Sequence, residues 1–332
     1  MNDFLRALPK VELHIHLEGS VPAELVVELA RRNGTALPTT DPAKLYHPWA
    51  SLSDFLVTYV AVCAAIVTPA DLAQAAYATQ SQAARLGNVR YREIFFNPTN
   101  HPSMTYRQQL DGILDGLAGA EKDFGIVGRL IPAINREQPP SVAAELVTEV
   151  IAHRRDEVLG IGLDHDDSAG PAELFTEAFA LAGHNGLRRT AHSAEVHTAS
   201  QITDSLDLLG CDRIDHGYLA LADPAIVARL RDEGIHLTTC WSTCCWHNPG
   251  RPPAEQPITG MVAAGLNVSI NSDDPPMLDT DLGSEYVAAG LAMGWTREQA
   301  VAMSYAALDG AWLDDSDRAA LRRSFDAEIA AL

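Results

Sequence analysis

Eight short runs rich in β-branched, aliphatic and aromatic residues recur along the chain, separated by segments with apolar residues at helical spacing. The strand-like runs occupy residues 11–17, 89–96, 125–134, 158–163, 189–194, 213–217, 235–240 and 267–271. Helical patterns lie between them at residues 106–122, 140–154, 171–182, 224–233 and 255–264. Eight strand–helix units predict a (β/α)8 barrel, also called a TIM barrel. The 332 residues, 47% of them hydrophobic, suffice for one large core, so we expect a single domain over residues 1–332.

Two segments depart from the plain repeat. About seventy residues separate the first two strand-like runs, and they contain helical patterns at residues 23–32, 52–66 and 69–86. We expect this insertion, at about residues 21–88, to cap the barrel mouth, because so long a connection is unusual. After the eighth run, residues 282–293, 297–308 and 315–332 are predicted closing helices, with Thr296 and either Asp314 or Ser316 as N-caps.

The charge balance limits the partners of this chain. It has 24 Lys and Arg against 44 Asp and Glu, a net charge of −20, which favours small molecules over nucleic acid. We expect no membrane association, since no apolar stretch reaches a membrane span's length and the first residues lack a signal peptide's pattern. Five cysteines without disulfide-like spacing fit a reducing compartment, so we expect a cytoplasmic protein. The oligomeric state is open, with a homodimer as one alternative.

Histidine and carboxylate clusters stand at the ends of several strand-like runs. They are His14 and His16 in the first run, His192 and Glu195 at the fifth, His216 at the sixth, and Asp273 and Asp274 after the eighth. Histidines at i and i+2 of a strand leave the same face, and the carboxyl ends of barrel strands meet where such enzymes form their active site. Three imidazoles and a carboxylate suit Zn²⁺ with a position left for water. We therefore expect one zinc ion per chain and remaining groups that transfer protons.

Four ordered motifs resemble the adenosine and adenine deaminase family of the amidohydrolase superfamily, which includes aminodeoxyfutalosine deaminases. They are PKVELHIHLEGS at residues 9–20, HSAE at 192–195, RIDHG at 213–217 and NSDDP at 271–275. The resemblance runs from roughly residue 5 to residue 310, and four motifs in the expected order are a specific signal. It implies zinc-dependent hydrolytic deamination of a 6-aminopurine base or nucleoside to the 6-oxopurine and ammonia.

The same resemblance implies a role for each motif residue. The zinc ligands would be His14, His16, His192 and Asp273. Glu195 would protonate N1 of the purine while zinc-bound hydroxide attacks C6, and His216 would orient and deprotonate that water. An acid must hold its proton, so we expect an apolar pocket to raise the pKa of Glu195.

Substrate contacts are implied for five further positions. Asp274 would hydrogen-bond N7, and Gly19 would leave room for the purine. Glu18 stands where adenosine-specific members have Asp near the sugar 5′-hydroxyl, which is more similar to adenine deaminases. His165 stands where adenosine deaminases have a glycine facing N3, and we expect His165 and Trp241 to contact the substrate.

Other departures from the family pattern leave the substrate open. Residues 240–247, CWSTCCWH, replace the usual Cys-Pro-x-Ser-Asn, and Ala194 stands where relatives have glycine, so a positive φ there would be strained. Residues 273–277 and 280–282 are more similar to aminodeoxyfutalosine deaminases. Adenine, adenosine and an N9-modified adenine nucleoside such as aminodeoxyfutalosine therefore remain alternatives.

Three readings compete with a purine deaminase site. The protein could hydrolyse another amidine, amide or ester, or bind purines with little turnover. The cysteines and histidine of residues 240–247 could hold a second metal, although small buried cysteines are favoured because the spacing is not that of a zinc finger. The remaining histidines, His47, His101, His153, His184, His197 and His236, are interpreted as structural or surface residues.

Overall fold

Eight parallel strands form the centre of the protein. The computed structural model describes residues 1–46 and 49–332, so His47 lies outside the described residues. The strands pair in chain order, and they are β1 Lys10–Glu12, β2 Val89–Phe96, β3 Val127–Asn135, β4 Gly160–Asp164, β5 Arg188–Ser193, β6 Arg213–His216, β7 His236–Cys240 and β8 Asn267–Asn271. The His16 N–H donates to the Asp273 carbonyl (3.0 Å), and the Asp273 N–H donates to the His14 carbonyl (3.2 Å). These bonds bring the first strand's extension against the last, and the predicted (β/α)8 barrel is confirmed.

The first strand is shorter than the sequence pattern indicates. Regular pairing ends at Glu12, and beyond it Ile15 and His16 make only isolated bridges, to Asp273 and Phe95. The ladder is interrupted because the Leu13 N–H donates to the side-chain Oδ1 of Asn271 (2.7 Å). The prediction that residues 11–17 form one continuous strand was therefore wrong.

Helices follow the strands and form the outer layer. Among the described residues they are α1 Asn2–Ala7, α2 Ala23–Asn33, α3 Pro42–Leu45, α4 Leu52–Ala65, α5 Pro69–Gly87, α6 Tyr106–Phe124, α7 Pro140–Ala152, α8 Thr176–His184, α9 Ser200–Asp207, α10 Pro224–Asp232, α11 Trp241–His247, α12 Pro257–Ala263, α13 Leu282–Met293, α14 Arg297–Gly310 and α15 Asp315–Ala330. The predicted helical segments are present, with short 3₁₀ turns at Ala172–Phe175 and Pro253–Glu255 instead of a first helical turn. None of the helices in the described part of the chain has both the length and the apolarity needed to cross a bilayer.

The connection between β1 and β2 contains helices α4 and α5, which lie in different parts of the fold. Helix α5 packs against α6, the helix that follows β2. Helix α4 supplies Leu52, Phe55, Leu56 and Tyr59 to the wall of a cavity that the strand ends also line. The covering of the cavity therefore comes from α4.

Two closing helices begin at predicted caps. Thr296 forms a capping box with Gln299, in which each side chain accepts a hydrogen bond from the other residue's N–H. At α15 the Asp314 side chain accepts from the Asp317 N–H (2.8 Å), while Ser316 donates to Asp314. Asp314 is therefore the cap, as expected from its position before an acidic first turn.

Two buried ion pairs fix the strands that carry the site. Glu12 of β1 accepts from Arg92 of β2 (2.5 Å), and its other oxygen accepts from the Ser272 N–H (3.1 Å), beside the end of β8. Arg213 of β6 pairs with Glu93 of β2 (2.5 Å). Removing one partner of such a pair typically costs about 3–5 kcal/mol, because the other charge stays buried and unpaired. These pairs join strands that are distant in sequence.

His236 gives the fold a pH dependence that can be measured. It is buried at the start of β7, its Nε2 lies 2.9 Å from Ser269 Oγ, and burial lowers its pKa from 6.5 to about 4. Between these values the unfolded chain binds more protons than the folded one, so the free energy of unfolding falls as the pH drops. We expect His236 to contribute about 2 kcal/mol of the loss between pH 7 and pH 5.

Urea unfolding of wild type and His236→Asn at pH 7 and pH 5 measures this contribution. The variant is expected to be less stable at pH 7 but to lose less stability on acidification. His184→Asn, at an exposed histidine, is the matched control and should lose as much as wild type. Equal pH dependence of His236→Asn and wild type would contradict the assignment.

Candidate metal centre and active site

Four residues other than glycine adopt a left-handed backbone at the carboxyl ends of barrel strands. They are His165 (φ 69°) after β4, Ala194 (φ 54°) after β5, His216 (φ 65°) at the end of β6 and Asp273 (φ 63°) after β8. Such conformations cost roughly 1–3 kcal/mol each and persist only where the surroundings impose them. At Ala194 the N–H donates to Gln201 Oε1 (3.0 Å) and the carbonyl accepts from the Leu219 N–H (3.0 Å). Ala194 thus adopts the positive φ that the sequence analysis describes as strained for a residue other than glycine.

The four predicted metal ligands come together at the barrel mouth. One donor atom from each of His14, His16, His192 and Asp273 lies within 4.8 Å of the others. His14 Nε2 and His16 Nε2 lie 3.2 Å and 3.4 Å from Asp273 Oδ1, and His16 Nε2 lies 3.2 Å from His192 Nε2. Three nitrogens and one carboxylate oxygen at this spacing are a donor set that Zn²⁺ prefers.

Thr238 and Asp215 orient the rings of His14 and His192 from the side away from the other ligand atoms. His14 Nδ1 lies 3.0 Å from Thr238 Oγ1, and that hydroxyl donates to Asp215 Oδ1 (2.7 Å). His192 Nδ1 lies 3.5 Å from Asp215 Oδ2. His14 Nε2 is buried with no hydrogen-bond partner among the described residues. A buried ring nitrogen that faces other donor atoms, with its second nitrogen held by a carboxylate network, fits a metal ligand.

Asp215 is a functional residue that the sequence reasoning missed. It stands in the RIDHG motif next to His216, but the motif alone does not show that its carboxylate reaches two histidines on other strands. Burial alone would raise the pKa of Asp215, but His192 and His14 outweigh burial and hold that pKa well below its ordinary value. A charged Asp215 is therefore available to orient both rings.

A second group of donor atoms shares two of these residues. His14, His216, Cys240 and Asp273 also bring one donor atom each within 4.8 Å of one another. Burial raises the pKa of the Cys240 thiol well above its ordinary value, which disfavours the thiolate that binds metal. Within the described ranges, the cysteines of residues 240–247 and His247 do not form a metal-binding group with one another. The alternative of a second metal site made from this segment is therefore not supported.

Glu195 lies between two histidines. Its Oε2 is 3.6 Å from His216 Nε2, and its Oε1 is 2.9 Å from His247 Nε2. Burial alone would raise its pKa, but the His216 and His247 side chains outweigh burial, and the pKa of Glu195 is lowered. Burial also lowers the pKa of His216 to about 3, whereas the hydrogen bond to Glu195 raises the pKa of His247. The expectation of a raised pKa for Glu195 was therefore wrong for the free protein.

His216 presents a free lone pair to the site. Its Nδ1 lies 3.0 Å from the Tyr218 hydroxyl, which donates to the Cys240 carbonyl (2.9 Å). Since that hydroxyl proton is engaged, Nδ1 carries the proton of the neutral ring and Nε2 can accept one. This geometry is compatible with the predicted role of His216 as the base that accepts a proton from water.

Gly19 makes room for a side chain rather than for substrate. A Cβ at this position would lie 1.5 Å from Asp274 Oδ1. Asp274 itself lines the cavity, and its Oδ1 is buried with no hydrogen-bond partner in the described part of the chain. The prediction that Gly19 leaves room for the purine is corrected: the Asp274 carboxyl occupies that space, where it faces the cavity.

Glu18 lies behind the cavity wall. Its carboxylate accepts from the Asn97 N–H (3.0 Å) and the Tyr59 hydroxyl (3.4 Å), and His101 Nε2 lies 3.0 Å away. It is fully buried and is not among the side chains that line the cavity. The prediction of a direct substrate contact is corrected, because the Glu18 side chain is fully buried and does not line the cavity. Asn97 and His101, which hold Glu18, were not predicted as site residues.

His165 lines the cavity, as the sequence analysis predicts. Its Nδ1 lies 2.8 Å from Asp164 Oδ1, and its ring meets Tyr59 edge-on at 5.9 Å between centroids. Burial alone would raise the pKa of Asp164, but the His165 side chain outweighs burial and lowers it to about 2. Asn97 Nδ2 also donates to Asp164 (2.8 Å), so the His165 ring is held against a fixed carboxylate.

Trp246, not Trp241, faces the cavity. Trp241 is packed in the hydrophobic core at the start of α11, whereas Trp246 lines the cavity and lies 6.1 Å from the Phe55 ring. Residues five apart on a helix lie about 140° apart around its axis, so only one of the two indoles can point this way. The prediction for Trp241 is corrected, and the helix across residues 241–247 is the reason.

A (β/α)8 barrel with three histidines and an aspartate at its carboxyl end defines a metal-dependent hydrolase of the amidohydrolase type. The sequence model of the adenosine deaminase family matches residues 9–328, and the chain belongs to this family. The resemblance drawn from the four motifs is thereby confirmed.

Relatives and solved structures agree over nearly the whole chain. An adenine deaminase of Caulobacter vibrioides is 32% identical over 99% of this chain and 96% of that protein, and one of Streptomyces coelicolor is 33% identical over 99% and 97%. The crystal structure of an adenine deaminase from Arthrobacter aurescens has a TM-score of 0.90 at 31% identity, covering 98% of both chains. A zinc-bound amidohydrolase from Burkholderia ambifaria has a TM-score of 0.91 at 34% identity, covering 99% of this chain and 93% of that one.

Proposed function

We propose that this protein is a zinc-dependent adenine deaminase that hydrolyses adenine to the 6-oxopurine and ammonia. The observation that carries the proposal is one cavity lined by three members of the metal-ligand cluster, His16, His192 and Asp273, together with Glu195 and Asp274. The relatives named adenine deaminase support the choice of chemistry, since they align over almost their full length. All five cysteines are free thiols, which is in keeping with the cytoplasmic location that we propose.

One zinc ion per chain would be held by the Nε2 atoms of His14, His16 and His192 and by the Asp273 carboxylate. When bound, zinc lowers the pKa of a coordinated water to about 7, which supplies a nucleophile at neutral pH. His14 Nε2, buried and without a hydrogen-bond partner among the described residues, supports this set.

The chain's own residues would supply acid, base and binding. Carbon 6 of the aromatic ring resists attack until N1 gains a proton, and Glu195 lies at the cavity to donate it. His216 Nε2, with a free lone pair, would take a proton from the attacking water. Asp274 Oδ1, which faces the cavity without a hydrogen-bond partner in the described part of the chain, would bond N7 of the purine. Trp246 and Phe55 offer aromatic faces to the ring.

The free base is favoured over a nucleoside by the position of Glu18. Its carboxylate is fully buried behind the cavity wall, and its Oε1 is bonded to the Asn97 N–H and lies 3.0 Å from His101 Nε2, so it is not placed to bond a sugar hydroxyl in the cavity. Binding a sugar there would leave these partners unpaired, at a cost of about 1–3 kcal/mol for each buried group.

A substrate panel tests the proposal. Ammonia release and loss of the adenine absorbance are measured with adenine, adenosine, deoxyadenosine, methylthioadenosine and aminodeoxyfutalosine. Adenine is expected to have the highest kcat/KM. A higher value for any nucleoside would replace adenine as the substrate, and purine binding without ammonia release would contradict a deaminase.

His165→Gly tests which group sets the choice among purines. Removing the imidazole opens the cavity beside Asp164, so kcat/KM for adenosine relative to adenine should rise by about 10-fold or more. Metal content should be unchanged, because the ring is not in the ligand cluster. An unchanged ratio would move the specificity determinants to other parts of the cavity wall, such as α4.

A further inference from the structure

Among the described residues, His247 makes the shortest contact of the Glu195 carboxylate with another side chain. The two residues come from different strand ends, His247 from the last position of α11 and Glu195 from the loop after β5. His247 Nε2 lies 2.9 Å from Glu195 Oε1, with the two side chains 12% and 9% exposed. Both side chains keep a small exposed fraction, so the His247 imidazole can exchange a proton with solvent.

Helix α11 is anchored at the end opposite His247. The Ser242 N–H donates to Glu285 Oε2 (3.0 Å), and the Thr243 hydroxyl donates to Asp273 Oδ2 (2.7 Å). After the helix, Asn248 Nδ2 donates to the Cys244 carbonyl (2.9 Å). The helix, and with it the imidazole of His247, is thus held in place relative to Glu195.

Carboxylates surround the His247 imidazole. Burial alone would lower its pKa, but its hydrogen bond to Glu195, the charge of Glu195 and the charges of Asp273 and Asp167 outweigh burial and raise it. Asp167 also accepts from the Glu195 N–H (2.9 Å), so it belongs to the same cluster. Arg136 is buried, and its charge interacts with those of Asp167 and Glu195.

An ionised Glu195 cannot act as an acid until it gains a proton. We propose that His247 is a positioning residue that holds Glu195 in place and transfers to it the proton that N1 of the substrate receives. This inference rests on the proposed deaminase function and adds to it the source of the proton.

The proton balance is complete for each turnover. The His247 Nε2–H bond breaks as a Glu195 Oε1–H bond forms, and Glu195 then protonates N1, where the proton stays in the 6-oxopurine. The attacking water loses two protons, one to the departing ammonia and one to solvent. The neutral His247 ring takes a proton back from solvent through its exposed fraction.

Two variants separate holding Glu195 from supplying its proton. In His247→Gln the amide can still donate a hydrogen bond to Glu195 but cannot transfer a proton. We expect kcat for adenine to fall by about 10- to 100-fold with KM within about 2-fold of wild type, a part of what acid–base catalysis contributes. The alkaline decline of wild-type kcat, where His247 loses its proton, should disappear in this variant.

In His247→Ala, added imidazole should restore part of kcat, and with substituted imidazoles the alkaline limb should follow the pKa of the added base. His197→Ala, at an exposed histidine in the loop of Glu195, is the matched control and should resemble wild type. Metal content and melting temperature are measured for each protein.

The outcomes distinguish the two proposals. Wild type that releases no ammonia from any panel purine contradicts the deaminase function itself. Active wild type with His247→Gln at full kcat and an unchanged pH profile overturns the role of His247 alone. Loss of activity in His247→Ala that imidazole does not restore, with full activity in His247→Gln, reduces His247 to a structural contact and also overturns the proposal.

Discussion

Glu195→Gln is expected to lower kcat for adenine by about 10²- to 10⁴-fold while metal content and fold stay as in wild type. Glutamine has nearly the same shape and still reaches His247, but its amide cannot deliver a proton to N1. Without that proton the ring keeps its aromatic character, and attack at C6 meets a higher barrier. Glu195→Gln is therefore expected to lower kcat more than it weakens substrate binding.

Ammonia release, metal content and melting temperature are measured together for this variant. Glu173→Gln is the matched control, because Glu173 is exposed and lies outside the cavity. It should behave as wild type. Ammonia release by Glu195→Gln within a few-fold of wild type would remove Glu195 from the role of acid and leave another group to protonate N1.

The barrel and the metal cluster were predictable because their signals are local. Each barrel strand overlaps a run predicted from the sequence, and each predicted ligand lies in a strand or within four residues of its end. Parallel barrel strands place their carboxyl ends on one face, so topology alone brings His14, His192 and Asp273 together. The order of the strands is therefore sufficient to predict that these three residues lie close together.

The corrected predictions depend on side-chain direction and on contacts between distant segments. Trp241 was predicted to contact the substrate, but the phase of a short helix turns Trp246 toward the cavity instead. Glu18 stands in a recognisable motif, yet its partner His101 is 83 residues away. The lowered pKa of Glu195 arises in part from His247, 52 residues further along the chain.

Asp273→Ala is expected to abolish stoichiometric metal binding, and adenine turnover should fall to the limit of detection. The Asp273 carboxylate is the only acidic side chain in the predicted ligand set, and its Oδ1 lies within 3.4 Å of both His14 Nε2 and His16 Nε2. Without it, three neutral imidazoles remain to neutralise a divalent cation. Wild type should contain one metal ion per chain by elemental analysis, with zinc as the metal that restores activity after chelation.

Residue 273 has a left-handed backbone, and alanine is unfavourable in this conformation whether or not a metal ligand is lost. The control must therefore carry the same backbone penalty. Asp279→Ala makes the same substitution at an exposed aspartate with φ 51°, six residues further along the chain. Both variants carry a similar backbone penalty, whereas only Asp273→Ala removes a predicted metal ligand and the acceptor of the Thr243 hydrogen bond. Asp279→Ala should keep one metal ion per chain and wild-type turnover. If Asp273→Ala also kept one metal ion per chain, Asp273 would not be a metal ligand. Its remaining role would be to accept the hydrogen bond from Thr243.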